Sequence, residues 1–272
     1  MNQVQQTSTG AAEAERYHYA DFTRDNYRRL LRLAKERYRF RAYTEISAAD
    51  EPFVLWRHDV DMSVHSALRL ARIEAEEGVS ATYFMHLHSE FYNLLERSVA
   101  DCVQGILSAG HRLGLHFDAA YYGDRAGREM EPLLAAERAL LSDAFGAPVE
   151  VFSFHNPDAF TLSCQEWSYA GMVNTYARCF REEVGYCSDS NGYWRFRRLE
   201  DVLRAGEDAR LQVLTHPEWW QDAPMPPRER IQRCIDGRAL RTADWYDGFL
   251  SRAGRQNVGA AADPAGTACT GE

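Results

Sequence analysis

A chain of 272 residues with 45% apolar and 12% aromatic side chains has enough apolar material for a substantial core, and its length suits one large α/β domain or two small ones. The formal net charge of −9 and the lack of any lysine/arginine cluster point away from a nucleic-acid partner. No apolar run reaches the ~20 residues that span a bilayer, and the polar start MNQVQQTSTGAAEAERY has no signal-peptide core, so export is not expected.

Residues 1–15 and 252–272 read as disordered tails around a single domain, 16–251. A helix is expected over Asp21–Arg39, with Phe22, Leu30, Leu31 and Leu33 at helical spacing and Asp21 or Thr23 as cap. Phe53-Val54-Leu55-Trp56 then starts a buried strand that turns polar at His58-Asp59-Val60-Asp61. An amphipathic helix follows over Ser66–Glu77, closed by Gly78, and VSATYFMHLH is rich in strand formers. A helix over Val99–Ala109 ends at Gly110, HRLGLHFD makes a third strand, and Arg128–Phe145 makes a long helix. Val149–Phe154 and Leu211–Leu214 complete the strands. Alternating strands and helices with short glycine-marked turns argue for parallel βαβ units, and no internal repeat is present. Such folds place their chemistry at the C-terminal strand ends. The strand ends here are HDVD, LHFD, SFHNP and LTHPEWW, each carrying His or Asp.

Asp59 and Asp61 stand at i and i+2, so on a strand they point the same way. Capping of the next helix by Asp61 or Ser63 accounts for one carboxylate and leaves the other. A divalent cation needs a carboxylate ligand, and a neighbouring carboxylate can serve it as a base toward water. His116 lies near its strand end, with Asp118 as a further ligand or as its orienting partner. His111 reads as a polar residue opening a strand. His155 and His216 each follow a strand directly, and Trp219 and Trp220 either wall a pocket or fill core. His86 and His88 form a His-x-His pair of the kind that begins metal sites in amidohydrolase-type barrels. With a metal placed elsewhere, they read as packing or rim residues. Cys102, Cys164, Cys179, Cys187, Cys234 and Cys269 contain no Cys-x-x-Cys pair. They are expected to be reduced packing thiols in a cytoplasmic protein.

In order and spacing, the segments from Phe53 to Trp220 resemble the polysaccharide deacetylase family, carbohydrate esterase family four. The resemblance implies a distorted (β/α) barrel and a metal-dependent hydrolase that removes an N-acetyl group from a saccharide. It implies Asp59 as base, Asp61 and His116 as metal ligands, and His216 of LTH as general acid, with Leu214 lining the acyl pocket. SDSNGYW corresponds to the segment where the family keeps an Asp and a Trp, implying Asp189 behind the catalytic groups and Trp194 on the pocket wall, with Trp219 beside it. Two departures matter. The family's second ligand histidine, four residues after the first, is here Ala120, so His155 is expected as third ligand and Asp118 next. The family's Arg-x-x-Pro-x-Tyr segment is replaced by Ser153-Phe154-His155-Asn156-Pro157. The metal implied is Zn²⁺, with Co²⁺, Ni²⁺ or Mn²⁺ as alternatives. The RHDVD, GLHFD and THPEWW segments also resemble proteins encoded near surface-polysaccharide genes, which implies a small sugar substrate. Amidase action on another N-acyl or N-formyl metabolite, or carbohydrate binding without catalysis, are the alternative readings.

Overall fold

A computed structural model describes residues 12–48 and 51–259. The first long helix, α1 (Arg24–Lys35), starts later than its apolar pattern because Thr23 takes an extended backbone and its hydroxyl accepts the Asn26 amide. Tyr19–Phe22 form a separate 3-10 turn before it. In chain order there follow β1 (Arg39–Phe40), β2 (Phe53–Val60), α2 (Val64–Glu76), β3 (Thr82–Met85), α3 (Arg97–Ser108) and β4 (Arg112–Phe117). The short α4 (Ala119–Tyr122), the long α5 (Asp124–Phe145), β5 (Val149–Phe154) and α6 (Ala159–Ser163) come next. The last part holds β6 (Ser168–Tyr169), β7 (Met172–Asn174), α7 (Arg178–Glu183), β8 (Gly185–Ser188), α8 (Leu199–Ala205), β9 (Arg210–Thr215) and α9 (Pro227–Arg252).

The strands form one nine-stranded sheet in the order β6-β7-β5-β4-β3-β2-β9-β8, with β1 beside β2. All pairings are parallel except the β6–β7 hairpin. This is the α/β, distorted-barrel architecture expected from the sequence. Among the described residues the strand path is not closed between β6 and β8. The segments β6, β7 and β8 were not expected, and at two to four residues each they are too short to show a period of two. The expected strand 79–88 narrows to Thr82–Met85, which leaves His86 and His88 beyond its end.

β2 is buried from end to end, and the period of two sorts its residues between different surroundings. Phe53 and Leu55 join Tyr43, Phe84, Val151 and Phe180 in a small apolar plug inside the sheet. Val54, Trp56 and Val60 face outward and pack with helix residues such as Leu30, Leu31, Ala67 and Leu70. Such parallel strands, covered on both faces, carry near-continuous apolar runs. The inner surface is tight: a Cβ at Gly114 of β4 would lie 2.6 Å from the Phe84 ring. Above the plug the inward row turns polar, which raises the site onto an apolar floor.

The described residues up to Cys234 form one compact unit that includes every strand, and those from Ile235 onward form another. The second unit contains the later turns of α9, where Trp245 stacks on Phe249 with ring centroids 5.7 Å apart. No helix among the described residues is long and apolar enough to cross a membrane. None of Cys102, Cys164, Cys179, Cys187 and Cys234 is in a disulfide, and Cys269 lies outside the described residues.

Candidate active site

Arg57 and Asp59 share the inward face of β2, and Asp61 follows one step beyond the strand. The Arg57 guanidinium donates to Asp59 Oδ2 at 2.7 Å. Both groups are almost fully buried, at 1% and 2% exposure, and the cation also sits 5.1 Å over the Phe84 ring. Burial by itself would raise the Asp59 carboxyl, but Arg57, and after it His116 and His216, hold it below the usual carboxylate range. A charge buried this deeply is tolerated because its partner is bonded to it.

Asp61 meets two imidazoles delivered by two other strand ends. His116, the last inward residue of β4, places Nε2 3.1 Å from Asp61 Oδ1. His155, just after β5, places Nδ1 3.4 Å from the same oxygen and 3.1 Å from His116 Nε2. Asp61 Oδ1 is buried and has no well-aligned hydrogen-bond partner. Three atoms with lone pairs thus converge on one point that hydrogen bonding does not explain. One carboxylate and two imidazoles are a donor set suited to zinc and similar ions. The rest of the shell fits the same reading. His116 Nδ1 is bonded to Ser153 Oγ at 2.7 Å, and Ser153 Oγ lies 3.5 Å from Asp59 Oδ1. A second ring nitrogen held in this way fixes the orientation of a ligating imidazole. Burial would raise the Asp61 carboxyl, but the two imidazoles close to it, His116 and then His155, hold it well below its ordinary value.

Beside this group stands His216, immediately after β9. Its Nδ1 lies 2.7 Å from Asp189 Oδ1, and its backbone amide donates to both Asp189 oxygens. Asp189 is fully buried and also accepts from the Trp220 indole at 3.1 Å. His216 Nε2 is left toward the cavity, 3.8 Å from Asp61 Oδ2. Burial would lower this imidazole, but Asp189 and then Asp61 push it up to about 10. Glu218, two residues on, is fully buried with neither carboxylate oxygen hydrogen-bonded. Burial, and then the Asp61 charge, raise it well above the usual range, so it is held in the neutral form.

Asp61, His155 and His216 open on a cavity of about 620 Å³ whose wall also includes His86, Asp118 and Trp219, with Asp59 and His116 behind that wall. Asp118 takes no part in the Asp61–His116–His155 group. Its Oδ1 accepts the Ala120 and Tyr121 amides and so caps α4, while Oδ2 lies 3.5 Å from His86 Nε2. Ala120 is on the cavity wall, at the position where the resemblance would place a histidine. Leu214 is buried in β9 and does not border the cavity. Trp194 is also away from it: its indole donates to Asp21 at 2.8 Å and its ring stacks on Phe22. His111 is structural, accepting the Ala81 amide at Nδ1 with Nε2 2.8 Å from the Ala71 carbonyl.

Arg57, Ser153 and Glu218 were given no role by sequence reasoning, and His86 was read only as a packing or rim residue. For Arg57 a signal was present, since it stands at i−2 from Asp59 and must share its face. Ser153 follows the same rule, two residues before His155. His86 was set aside as packing, and its place at a strand end next to an inward row was the missed signal. Nothing in the local sequence marks Glu218 as buried.

No family model matches the sequence, and no curated protein matches it significantly. Among solved structures, the chain is similar to a Xyl-CE4 domain of a multidomain xylanase from the hindgut metagenome of Trinervitermes trinervoides. The identity is 10%, with 75% of this chain and 92% of that chain covered and a TM-score of 0.42. It is also similar to a family 4 acetyl xylan esterase from Clostridium thermocellum in complex with a cobalt ion, at 15% identity, 69% and 84% coverage and a TM-score of 0.40. The chitin deacetylase of Colletotrichum lindemuthianum matches at 13% identity, 69% and 83% coverage and a TM-score of 0.42. At these scores the likeness adds nothing to what the sheet order and the side-chain geometry already say.

Proposed function

We propose that the chain is a metal-dependent hydrolase that removes an N-acyl group, in the simplest case N-acetyl, from an amino sugar or saccharide. The observation that carries this reading is the convergence of Asp61 Oδ1, His116 Nε2 and His155 Nδ1 within 3.4 Å, flanked by a buried carboxylate and an anchored imidazole. A divalent cation held by Asp61, His116 and His155 would supply Lewis acidity toward an acyl carbonyl and toward water. The remaining roles fall to this chain's own residues. Asp59, held as an acceptor by Arg57, takes the proton of the attacking water. His216, fixed on Asp189 through Nδ1, gives a proton from Nε2 to the leaving nitrogen, without which an amine is a poor leaving group. Trp219, with its indole nitrogen buried and without a hydrogen bond, forms an apolar wall beside His216. Leu214 and Trp194 support the core behind the site and do not wall it.

Acetate release from N-acetylated amino sugars by zinc- or cobalt-loaded protein is the test. Release that disappears in Asp59→Asn while bound metal is unchanged is the expected result. Full activity in Asp59→Asn, or unchanged metal content in Asp61→Asn and His116→Ala, would overturn the assignment of base or ligands. Release of formate or another acid from a small N-acyl metabolite, with no acetate from any sugar, would move the chemistry to the amidase alternative.

A further inference from the structure

The donors around the cavity do not form one set. Asp61, His116 and His155 close on one another within 4.8 Å, and so do His86, Asp118 and His155, but the five residues do not make a single group. His155 is the one shared member. The second group therefore marks a second point, bordered by His86 and Asp118.

We propose that this second point binds another divalent transition-metal ion, held by His86 and Asp118 next to His155. His86 is built for such a role. Its side chain is 6% exposed, yet Nε2 is buried and makes no hydrogen bond. An unpaired buried polar atom ordinarily costs about 1–3 kcal/mol, so a native structure that keeps one calls for a partner. Asp118 Oδ2 at 3.5 Å is beyond the ordinary hydrogen-bond range. That gap is where a cation would bring the two together. The ring is also fixed in place: it stacks on His155 with centroids 4.4 Å apart. Its backbone amide donates to Tyr92 Oη, which in turn donates to the Val60 carbonyl at 2.5 Å. The end of β3 is thereby clamped to the end of β2. Asp118 is fixed as well, since its other oxygen caps α4.

His155 Nδ1 faces the first point, and its Nε2 lies 2.8 Å from the Asn156 side-chain amide, so His155 would serve both points by exchanging that contact for the cation. Imidazole and carboxylate donors select Zn²⁺, Co²⁺, Ni²⁺ or Mn²⁺ rather than Ca²⁺ or Mg²⁺, which take oxygen ligands. Adjacent cations of this kind act together as a clamp on substrate oxygens. The inference concerns the same cavity as the proposed reaction and shares His155 with it, while His86 and Asp118 belong to the second point alone.

The test is the number of ions bound by the full chain after chelator stripping and equilibrium dialysis against Zn²⁺, read by elemental analysis. Two ions per chain are expected. His86→Phe keeps a ring to stack on His155 and should bind one. Asp118→Asn keeps the Oδ1 acceptor that caps α4 and should also bind one, so a folding defect in either variant leaves the other decisive. Asp61→Asn should lose the first ion and keep the second. One ion in the native chain, unchanged by His86→Phe and Asp118→Asn, overturns the second site and leaves the proposed hydrolase intact. One ion lost in all three variants means a single shared centre and overturns it as well. No bound ion overturns both readings.

Discussion

β2 carries two buried polar clusters, one on each face, and they are built on opposite principles. On the outer face, His58 Nε2 lies 2.6 Å from Glu74 Oε1 and His58 Nδ1 lies 2.7 Å from Thr215 Oγ1. Tyr83 donates to Glu74 Oε2 at 2.7 Å, Tyr27 donates to Glu74 Oε1, and Trp56 donates to Tyr27 at 2.8 Å. Every member of that network has a partner, and none of them lines the cavity beside Asp61. On the inner face, one residue along, Asp61 Oδ1 and His86 Nε2 have none, and both line the cavity. A satisfied network ties β2 to α1, α2 and β3 and fixes one packing. An unsatisfied one, open to a cavity, holds its donors for something else. Burial alone does not separate the structural histidines from those at the candidate site. His58, His111 and His116 are all at most 5% exposed.

The contrast can be broken by exchanging what each face tolerates. The largest effect should come from Asp59→Asn, which preserves shape and removes the acceptor charge. Turnover per folded chain is expected to fall on the order of 10²–10⁴-fold with metal content unchanged, and stability falls too because Arg57 stays buried without a charged partner. Glu74→Ala should spare the site. It leaves His58, Tyr27 and Tyr83 without an acceptor, and chemical denaturation should show a loss of about 3–5 kcal/mol. Its metal content and turnover per folded chain should not change. A comparable fall in turnover per folded chain from Glu74→Ala would erase the distinction between the faces.

Ser153→Ala should have a smaller effect. Ser153 orients His116 without touching the cavity, so zinc affinity is expected to weaken roughly 10–100-fold in a chelator competition, with stability little altered. The smallest effect should appear in acid. Burial alone would raise Glu74, but His58, and after it His111 and Tyr27, hold it below its ordinary value. A carboxyl depressed in the folded state contributes stability that is fully present above its unfolded value of about 4.3. That contribution is lost as the pH falls through the folded value. Glu74→Gln should therefore flatten the acid limb of the stability profile below about pH 4, measured by denaturant titration at several pH values. An acid limb as steep as the native one would assign the acid sensitivity to other carboxylates.

Local pattern settled much of the molecule. The period of two in Phe53–Asp61 placed a buried strand with both carboxylates on one face, and the alternation of strands with glycine-stopped helices gave a parallel α/β fold. The rule that chemistry follows strand ends then led to Asp59, Asp61, His116, His155 and His216, of which Asp61, His155 and His216 line the cavity and Asp59 and His116 are buried beside them. These are short-range properties, because facing, capping and turn chemistry depend on a few neighbours in the chain. What sequence could not settle is which strand ends become neighbours and at what register. That depends on the order β5-β4-β3-β2-β9-β8, in which β2 lies next to β9 across more than 140 residues of chain. Only that arrangement hands Ser153 to His116, buries Glu218, and leaves Trp194 in the core rather than on the cavity wall. It also decides that Asp118 faces His86 instead of completing the Asp61 group, since reach across a sheet is fixed by packing rather than by spacing along the chain.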